Sequence, residues 1–277
     1  MKCCQRQSSN RSGGYPPAEF TSIIGTLPPW ELGADFFLQH LLDGDQAANT
    51  LSWRWVAGLH TRGKTYLARR DNIRRYTEER LDPGVRLAAS APPLADDMIP
   101  AIPLALPPTR PAAGHRDLLL LHDDDLGIAS FAPNGIAPAV ACAFIAADAR
   151  SPNGVAPPVR AFARALAADA LAHAERDRSI PAGPVIDGGD AAGAAADLQR
   201  VAARFGTTRV VVTFAPVGPA RDALDALRAQ LARSGLEWSE VARDYDAVTW
   251  PFATRGFFGL RARIPAIVRE LGLDGSD

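Results

Sequence analysis

The sequence predicts two folded parts, a helical segment and a later doubly wound α/β domain, separated by a proline-rich linker. Three observations support this organisation. From about residue 117, short apolar runs alternate with amphipathic stretches, which is typical of alternating strands and helices. Eight prolines lie within residues 82–116 and prevent sustained helix or sheet pairing there. Before the linker, apolar residues recur at helical spacing.

Length, charge and cysteine content narrow the class of protein. The 277 residues suffice for one large or two ordinary domains, and the formal net charge of −1 gives no global argument for nucleic acid. Cys3 and Cys4 are adjacent and Cys142 stands alone, so neither a disulfide framework nor a metal site is indicated. This pattern favours a reducing cytoplasm. No apolar run reaches transmembrane length, so no membrane role is expected.

The predicted boundaries follow these shifts in composition. Residues 1–26 are polar and lack periodicity, and are expected to be an irregular leader. Residues 27–81 are expected to be helical, 82–116 to be a semi-rigid linker, and 117–277 to form the α/β domain.

Two helices are predicted on either side of a short turn in the first part. Apolar spacing indicates a helix over residues 32–42, and Gly44 between two aspartates indicates the turn. A second helix is expected over residues 46–59, with Asp45 as its N-cap. Asn49 and Trp53 are one turn apart and therefore share a face of that helix.

These residues have a structural and a functional interpretation. Helical tryptophans are more often core residues than electron carriers, and an Asp-Gly-Asp run is more often a capped turn than a ligand site. The functional interpretation is favoured by their joint spacing. The pattern is D-x-D-x-A-x-N, three residues, then W-x-W, with a further tryptophan thirteen residues before the first aspartate. It comprises Trp30, Asp43, Asp45, Ala47, Asn49, Trp53 and Trp55.

In this pattern the chain resembles the FAD-binding domain of the DNA photolyase/cryptochrome family. The resemblance covers about residues 30–57 closely, and it implies an all-helical remnant of that domain. It also implies light-driven electron donation from reduced FAD to a pyrimidine dimer in damaged DNA, which is carbon–carbon lyase chemistry if the FAD pocket is complete. The helical region that precedes this pattern in photolyases has no counterpart here. The chain is therefore expected to be the tail of a larger FAD domain behind an unrelated leader.

The resemblance also assigns a role to each site residue. Asp43, Gly44 and Asp45 would lie along the FAD, and Asn49 would sit beside flavin N5. Electrons would travel through Trp53 and Trp30, and Trp55 would stack on the extruded dimer. Two alternatives stay open, a non-enzymatic flavin blue-light photoreceptor and a truncated chain that binds no flavin.

A cluster of basic residues follows the pattern. One interpretation is a solvated helix face with Glu78 and Glu79 as ion-pair partners, and the other is phosphate contact beside a flavin pocket. The spacing alone does not decide between them. The cluster comprises Arg54, Arg62, Lys64, Arg69, Arg70, Arg74, Arg75 and Arg80.

The later part is expected to be a Rossmann-like α/β domain. Strands are predicted at residues 118–121, 140–146, 184–187, 209–214 and 236–241, and helices at 159–176, 191–205, 219–234 and 260–271. The succession resembles the light-harvesting domain of photolyases, here placed after the FAD segment.

Smaller features of this part carry weaker expectations. His122 to Asp125 is expected to be a solvated strand end rather than a metal site. The run 187–190 is a weak candidate for phosphate binding at a helix start. The aromatic run 249–258 is expected to pack in a core or an interface.

Overall fold

The computed structural model describes two compact units of the chain. The first ends at Ile99 and the second begins at Pro100, a division that falls within the predicted linker, whose bounds remain a prediction. Within the described residues, no helix combines the length and apolar character needed to cross a bilayer. The described residues are 30–59, 64–65, 67–82, 87, 90, 93–94, 105–128, 136–255 and 257–273.

The first unit contains the two predicted helices, with shifted ends. Helix α1 spans Trp30–His40 and helix α2 spans Gln46–Arg54. The predicted cap of α2 is confirmed, because Oδ1 of Asp45 accepts a hydrogen bond from the Ala48 amide at 2.5 Å. The predicted extension of α2 to residue 59 is wrong. Turns replace the helix after Arg54, and they end at Gly58, whose φ of 80° lies in the left-handed region that favours glycine.

A third, short helix follows in the same unit. Helix α3 spans Arg70–Tyr76, and its N-cap is Arg69, which makes no side-chain capping bond. Asp71 lies inside the first turn, where a carboxylate is stabilised by the positive end of the helix dipole.

The second unit contains a five-stranded parallel sheet, which confirms the α/β fold class. The strand order is β3-β2-β1-β4-β5, so β1 and β4 are central neighbours. Both central strands are buried along their whole length, as expected of strands with continuous apolar runs in a parallel sheet. The strands are β1 Asp117–His122, β2 Pro138–Ile145, β3 Ala182–Asp187, β4 Arg209–Thr213 and β5 Glu237–Val241.

Helices cover both faces of this sheet. Helix α4 spans Pro157–Arg178 and packs on the face that carries Leu119 and Leu121. The opposite face, which carries Leu118 and Leu120, packs against the next two helices. These are α5 Ala191–Phe205 and α6 Pro219–Leu231. The predicted helix over 191–205 is confirmed without change, since Asp190 caps its start and Gly206 its end.

The C-terminal part departs from expectation. The single helix predicted over residues 260–271 is wrong, because two short helices stand there, α8 Phe257–Arg261 and α9 Ile264–Glu270. Pro265 lies in the first turn of α9, where its missing N–H is tolerated, whereas it would interrupt a continuous helix. The prediction of core packing is also wrong for Phe257 and Phe258, which are 63% and 78% exposed. Helix α7 Asp244–Thr249 and a 3₁₀ segment Trp250–Arg255 precede them.

A buried ion pair joins the amino ends of the two central strands. Nε of Arg209 lies 2.8 Å from Oδ1 of Asp117, and both side chains are fully buried. Nη1 of Arg209 also donates to the Ala112 carbonyl at 2.6 Å, and the Ala137 amide donates to Oδ2 of Asp117 at 2.7 Å. The pair therefore holds the end of the proline-rich stretch against the amino edge of the sheet.

Candidate functional site

Trp53 is the residue around which α1 and α2 pack. Its side chain is 9% exposed, and its ring lies against Gly33 of α1. A Cβ atom on Gly33 would stand 2.5 Å from Cη2 and Cζ3 of the indole, closer than real contacts allow. Phe37, one turn further along α1, meets the same ring edge-on with centroids 5.2 Å apart. The indole is thus enclosed because position 33 has no side chain.

Asn49 makes the second contact between these helices. Its Nδ2 donates to the carbonyl oxygen of Ala34 at 2.8 Å, next in sequence to the glycine that contacts Trp53. The prediction that Asn49 and Trp53 project from one face of α2 is confirmed, since both reach α1 at residues 33–34. One donor of the amide is committed to this contact. Within the described residues, Oδ1 of Asn49 has no hydrogen-bond partner.

The Asp43, Gly44 and Asp45 run forms the turn between the helices. Asp45 is engaged as the N-cap of α2, which is the structural interpretation of this run. The side chain of Asp43 is exposed, and Gly44 is buried, with the Leu41 carbonyl 3.3 Å from where a Cβ would stand. Both carboxylates are exposed, and the turn engages that of Asp45 as the cap of α2.

The other two tryptophans lie in different environments from Trp53. Trp30 is half-buried at the first position of α1, three residues before Gly33, which is about 4.5 Å along a helix axis. Trp55 directly follows α2 and is 38% exposed. The structure thus brings Trp30 within one turn of the Trp53 contact and leaves Trp55 at the surface.

A comparison with curated proteins bears on a short part of the chain. The chain is similar to a deoxyribodipyrimidine photo-lyase of Streptomyces griseus, with 40% identity over an alignment of 62 residues and a coverage of 18% of this chain. It spans 14% of the length of that enzyme. No family model matches the chain, and no solved structure matches it. The chain is therefore an α/β protein with a helical unit, and a short part of it is similar to a photolyase.

The carboxyl edge of the sheet holds a second group of chemically active side chains. The expectation of a solvated strand end at residues 122–125 is wrong for His122, which is fully buried, and for Asp125, which is 5% exposed, whereas Asp124 is exposed. Nε2 of His122 lies 3.0 Å from the Thr213 carbonyl and 3.1 Å from its Oγ1. Burial lowers the pKa of His122, which favours the neutral ring. The Asp124 amide donates a hydrogen bond to Nδ1 of the same ring. Through its contacts with Thr213, His122 links β1 to β4 at the point where the strand order reverses.

Asp123 is next to this histidine in the sequence, and its carboxyl group has a raised pKa. Its Oδ2 accepts a hydrogen bond from the Ala146 amide at 2.8 Å, and burial raises the pKa of Asp123 to about 6. Arg150 opposes that rise in pKa, and Asp187 adds to it. Nη1 of Arg150 is buried and has no hydrogen-bond partner within the described ranges. In that same part of the chain, no three His, Cys, Asp or Glu side chains are arranged to hold a metal ion.

The weak phosphate-binding interpretation of residues 187–190 is wrong. Oδ1 of Asp190 accepts hydrogen bonds from the amides of Ala192 and Gly193, both at 3.1 Å. Oδ1 of Asp187 accepts from the Gly189 amide, and its Oδ2 pairs with Arg164. The amides that would hold a phosphate are thus occupied by carboxylates of the chain itself.

Sequence reasoning missed the buried groups at the carboxyl edge. The only local signal was a histidine and an aspartate directly after an apolar strand. His122 and Thr213 are 91 residues apart, so the local sequence around either residue does not predict their contact.

Proposed function

We propose that the chain is a photolyase-like flavoprotein whose first unit contacts FAD and supports light-driven electron transfer for the repair of pyrimidine dimers in DNA. The observation that carries the proposal is the enclosure of Trp53 by Gly33, with Trp30 one turn earlier on the same helix. The partial similarity to a photolyase supports it. A buried indole with a second indole nearby and closer to solvent is the arrangement that an electron path requires.

Each residue has a definite task in this proposal. FAD supplies the redox chemistry when bound, and the chain positions the cofactor and tunes it. Asn49 keeps one donor on the Ala34 carbonyl, so its amide oxygen would face the N5 position of the flavin. Asp43 and Gly44 would lie along the cofactor, while Asp45 holds the start of α2. Trp53 would pass an electron inward, and Trp30 would replace it from the solvent side.

Trp55 has the exposure that contact with a nucleobase requires. Its side chain is 38% exposed, so a base can stack on it without displacing core residues. Stacking of a base on an aromatic side chain contributes about 1–3 kcal/mol. A dimer is already poorly stacked in the duplex, so its extrusion costs less than that of an intact base.

The fit to FAD is partial. Residues 30–59 contain one arginine, Arg54, and no lysine, so they provide contacts for one edge of a flavin ring but few for a diphosphate. The phosphate and adenine end would need groups from outside this helix pair. A chain that binds no flavin is therefore one outcome of the test, and a photoreceptor without repair activity is another.

The test is an absorbance spectrum of the full chain after incubation with FAD and removal of free cofactor. The variants are Asn49→Ala and Trp53→Phe, with Trp238→Phe in the second unit as the matched aromatic control. The proposal expects a retained flavin band that blue light reduces, more slowly in Trp53→Phe than in the parent or in Trp238→Phe. Absence of retained flavin at any concentration overturns it. Photoreduction without repair of a dimer-containing oligonucleotide would favour the photoreceptor.

A further inference from the structure

Five arginines cluster on and beside α3 in the first unit. All five are exposed, and we refer to them together as the arginine surface. Residues 64–82 carry six basic and four acidic side chains, so this segment is net positive in a chain of net charge −1. The arginine surface comprises Arg69, Arg70, Arg74, Arg75 and Arg80.

Acidic residues of the same segment pair with three of these arginines. Asp82 engages Arg70 with both oxygens, at 2.6 Å to Nε and 2.5 Å to Nη2. This two-bond arrangement is the one that guanidinium groups also form with phosphate. The contact with Arg70 lowers the pKa of Asp82, so its carboxylate stays charged over the physiological range.

The other two pairs come from the turn that follows α3. Oε2 of Glu79 lies 2.6 Å from Nε of Arg74, and Oε2 of Glu78 lies 3.9 Å from Nη2 of Arg80. The interpretation of Glu78 and Glu79 as ion-pair partners is thus confirmed. Glu78 and Glu79 have φ values of 54° and 62°, a conformation that residues with side chains rarely adopt. Two such residues in succession return the chain so that Glu79 reaches an arginine five positions earlier.

We propose that the arginine surface binds the phosphate backbone of nucleic acid and that Asp82, Glu79 and Glu78 occupy its arginines in the free protein. Binding then exchanges intramolecular carboxylate contacts for phosphate contacts. Exposed ion pairs are individually weak, so a polyanion that presents several phosphates at once displaces them. The three acidic residues therefore set a minimum number of phosphates that a ligand must present, because a single small anion gains too little binding free energy to open the ion pairs. The inference shares its DNA partner with the proposed function but needs neither flavin nor a lesion.

This competition predicts how the affinity for DNA changes when the acidic charges are removed. Replacing Glu79 by Gln and Asp82 by Asn releases two arginines while keeping side-chain size. We expect the affinity for duplex DNA to rise roughly 3- to 10-fold at low salt, since each exposed pair is weak. The slope of log K against log salt concentration should steepen by about 1–2, because fewer carboxylates recapture cations on binding.

The experiment measures the fluorescence anisotropy of an undamaged labelled duplex with the full chain, in the dark and without FAD, over a range of salt concentrations. Asp169→Asn with Asp177→Asn on α4 is the matched control, because it removes the same charge in the second unit, where both acids lie beside His173. Arg70→Gln with Arg74→Gln is a third variant and should weaken binding.

The outcomes separate this inference from the proposed function. An equal rise in affinity in the control pair overturns it, since net charge alone would then explain the effect. Absence of duplex binding by the parent and by the acid variant overturns it too, as does unchanged binding by the arginine variant. Failure of flavin binding or dimer repair does not affect these DNA-binding measurements, because neither cofactor nor lesion is present in them.

Discussion

Replacing Asp123 by Asn should stabilise the second unit at neutral pH. The Asp123 carboxylate is partly buried and accepts a hydrogen bond from the Ala146 amide. Asparagine has nearly the same shape, and its amide oxygen can accept that bond. The substitution therefore removes the buried charge while it keeps the contact between the end of β1 and the end of β2.

The size of the effect follows from the pKa. Burial raises the pKa of Asp123 from the ordinary value of 3.8 to about 6, so the folded protein holds this proton more tightly than the unfolded chain. The contribution of Asp123 to the free energy of unfolding is then greatest below about pH 4 and falls as the pH rises through 6, by up to about 3 kcal/mol in all. The neutral variant lacks this penalty. It should match the parent at low pH and exceed it by about 1–3 kcal/mol at pH 7.5.

Urea unfolding at pH 4, 6 and 7.5 tests this reasoning, with hydrogen exchange of the β1 and β2 amides to assign the transition to the second unit. Asp169→Asn, an exposed change on α4, is the control and should alter the unfolding free energy little at any of these pH values. A difference between Asp123→Asn and the parent that is the same at all three pH values would refute the reasoning. So would a variant that is less stable at pH 7.5.

Three further predictions concern the packing of each unit. Asp117→Ala leaves Arg209 buried without its partner and should cost about 3–5 kcal/mol in urea unfolding; a loss below about 1 kcal/mol would show that water reaches the arginine. Gly33→Ala forces the Trp53 ring to move and should cost about 1–3 kcal/mol, with a shifted tryptophan emission spectrum. An unchanged spectrum and stability would contradict the close approach of the two residues. Asp45→Ala removes the cap of α2 and should cost about 1 kcal/mol, measured by faster hydrogen exchange at Ala48 and Asn49; unaltered exchange there would argue against the cap.

Local sequence was sufficient to locate the five strands, α1, the start of α2 and the three long helices of the α/β unit. The apolar runs at residues 118–121 and 209–214 predicted buried strands, and the Asp45 cap was predicted correctly. Such features depend on residues within about four positions of each other, which a pattern records directly. The break at Pro265 was also present in the sequence, and only the apolar spacing on both sides of it suggested a continuous helix.

The environments of the chemically active side chains were decided by the tertiary structure. Parallel strands that neighbour each other here are distant in the chain, so His122 meets Thr213 and Asp117 meets Arg209 across 91 and 92 residues. The burial that raises the pKa of Asp123 depends on that strand order. In the pair of helices α1 and α2, too, sequence spacing predicted one part of the site and packing decided the other. The spacing placed Asn49 and Trp53 on one face of α2. Only packing against α1 showed that Gly33 makes room for the indole, because a contact between two helices depends on which side chains each of them lacks.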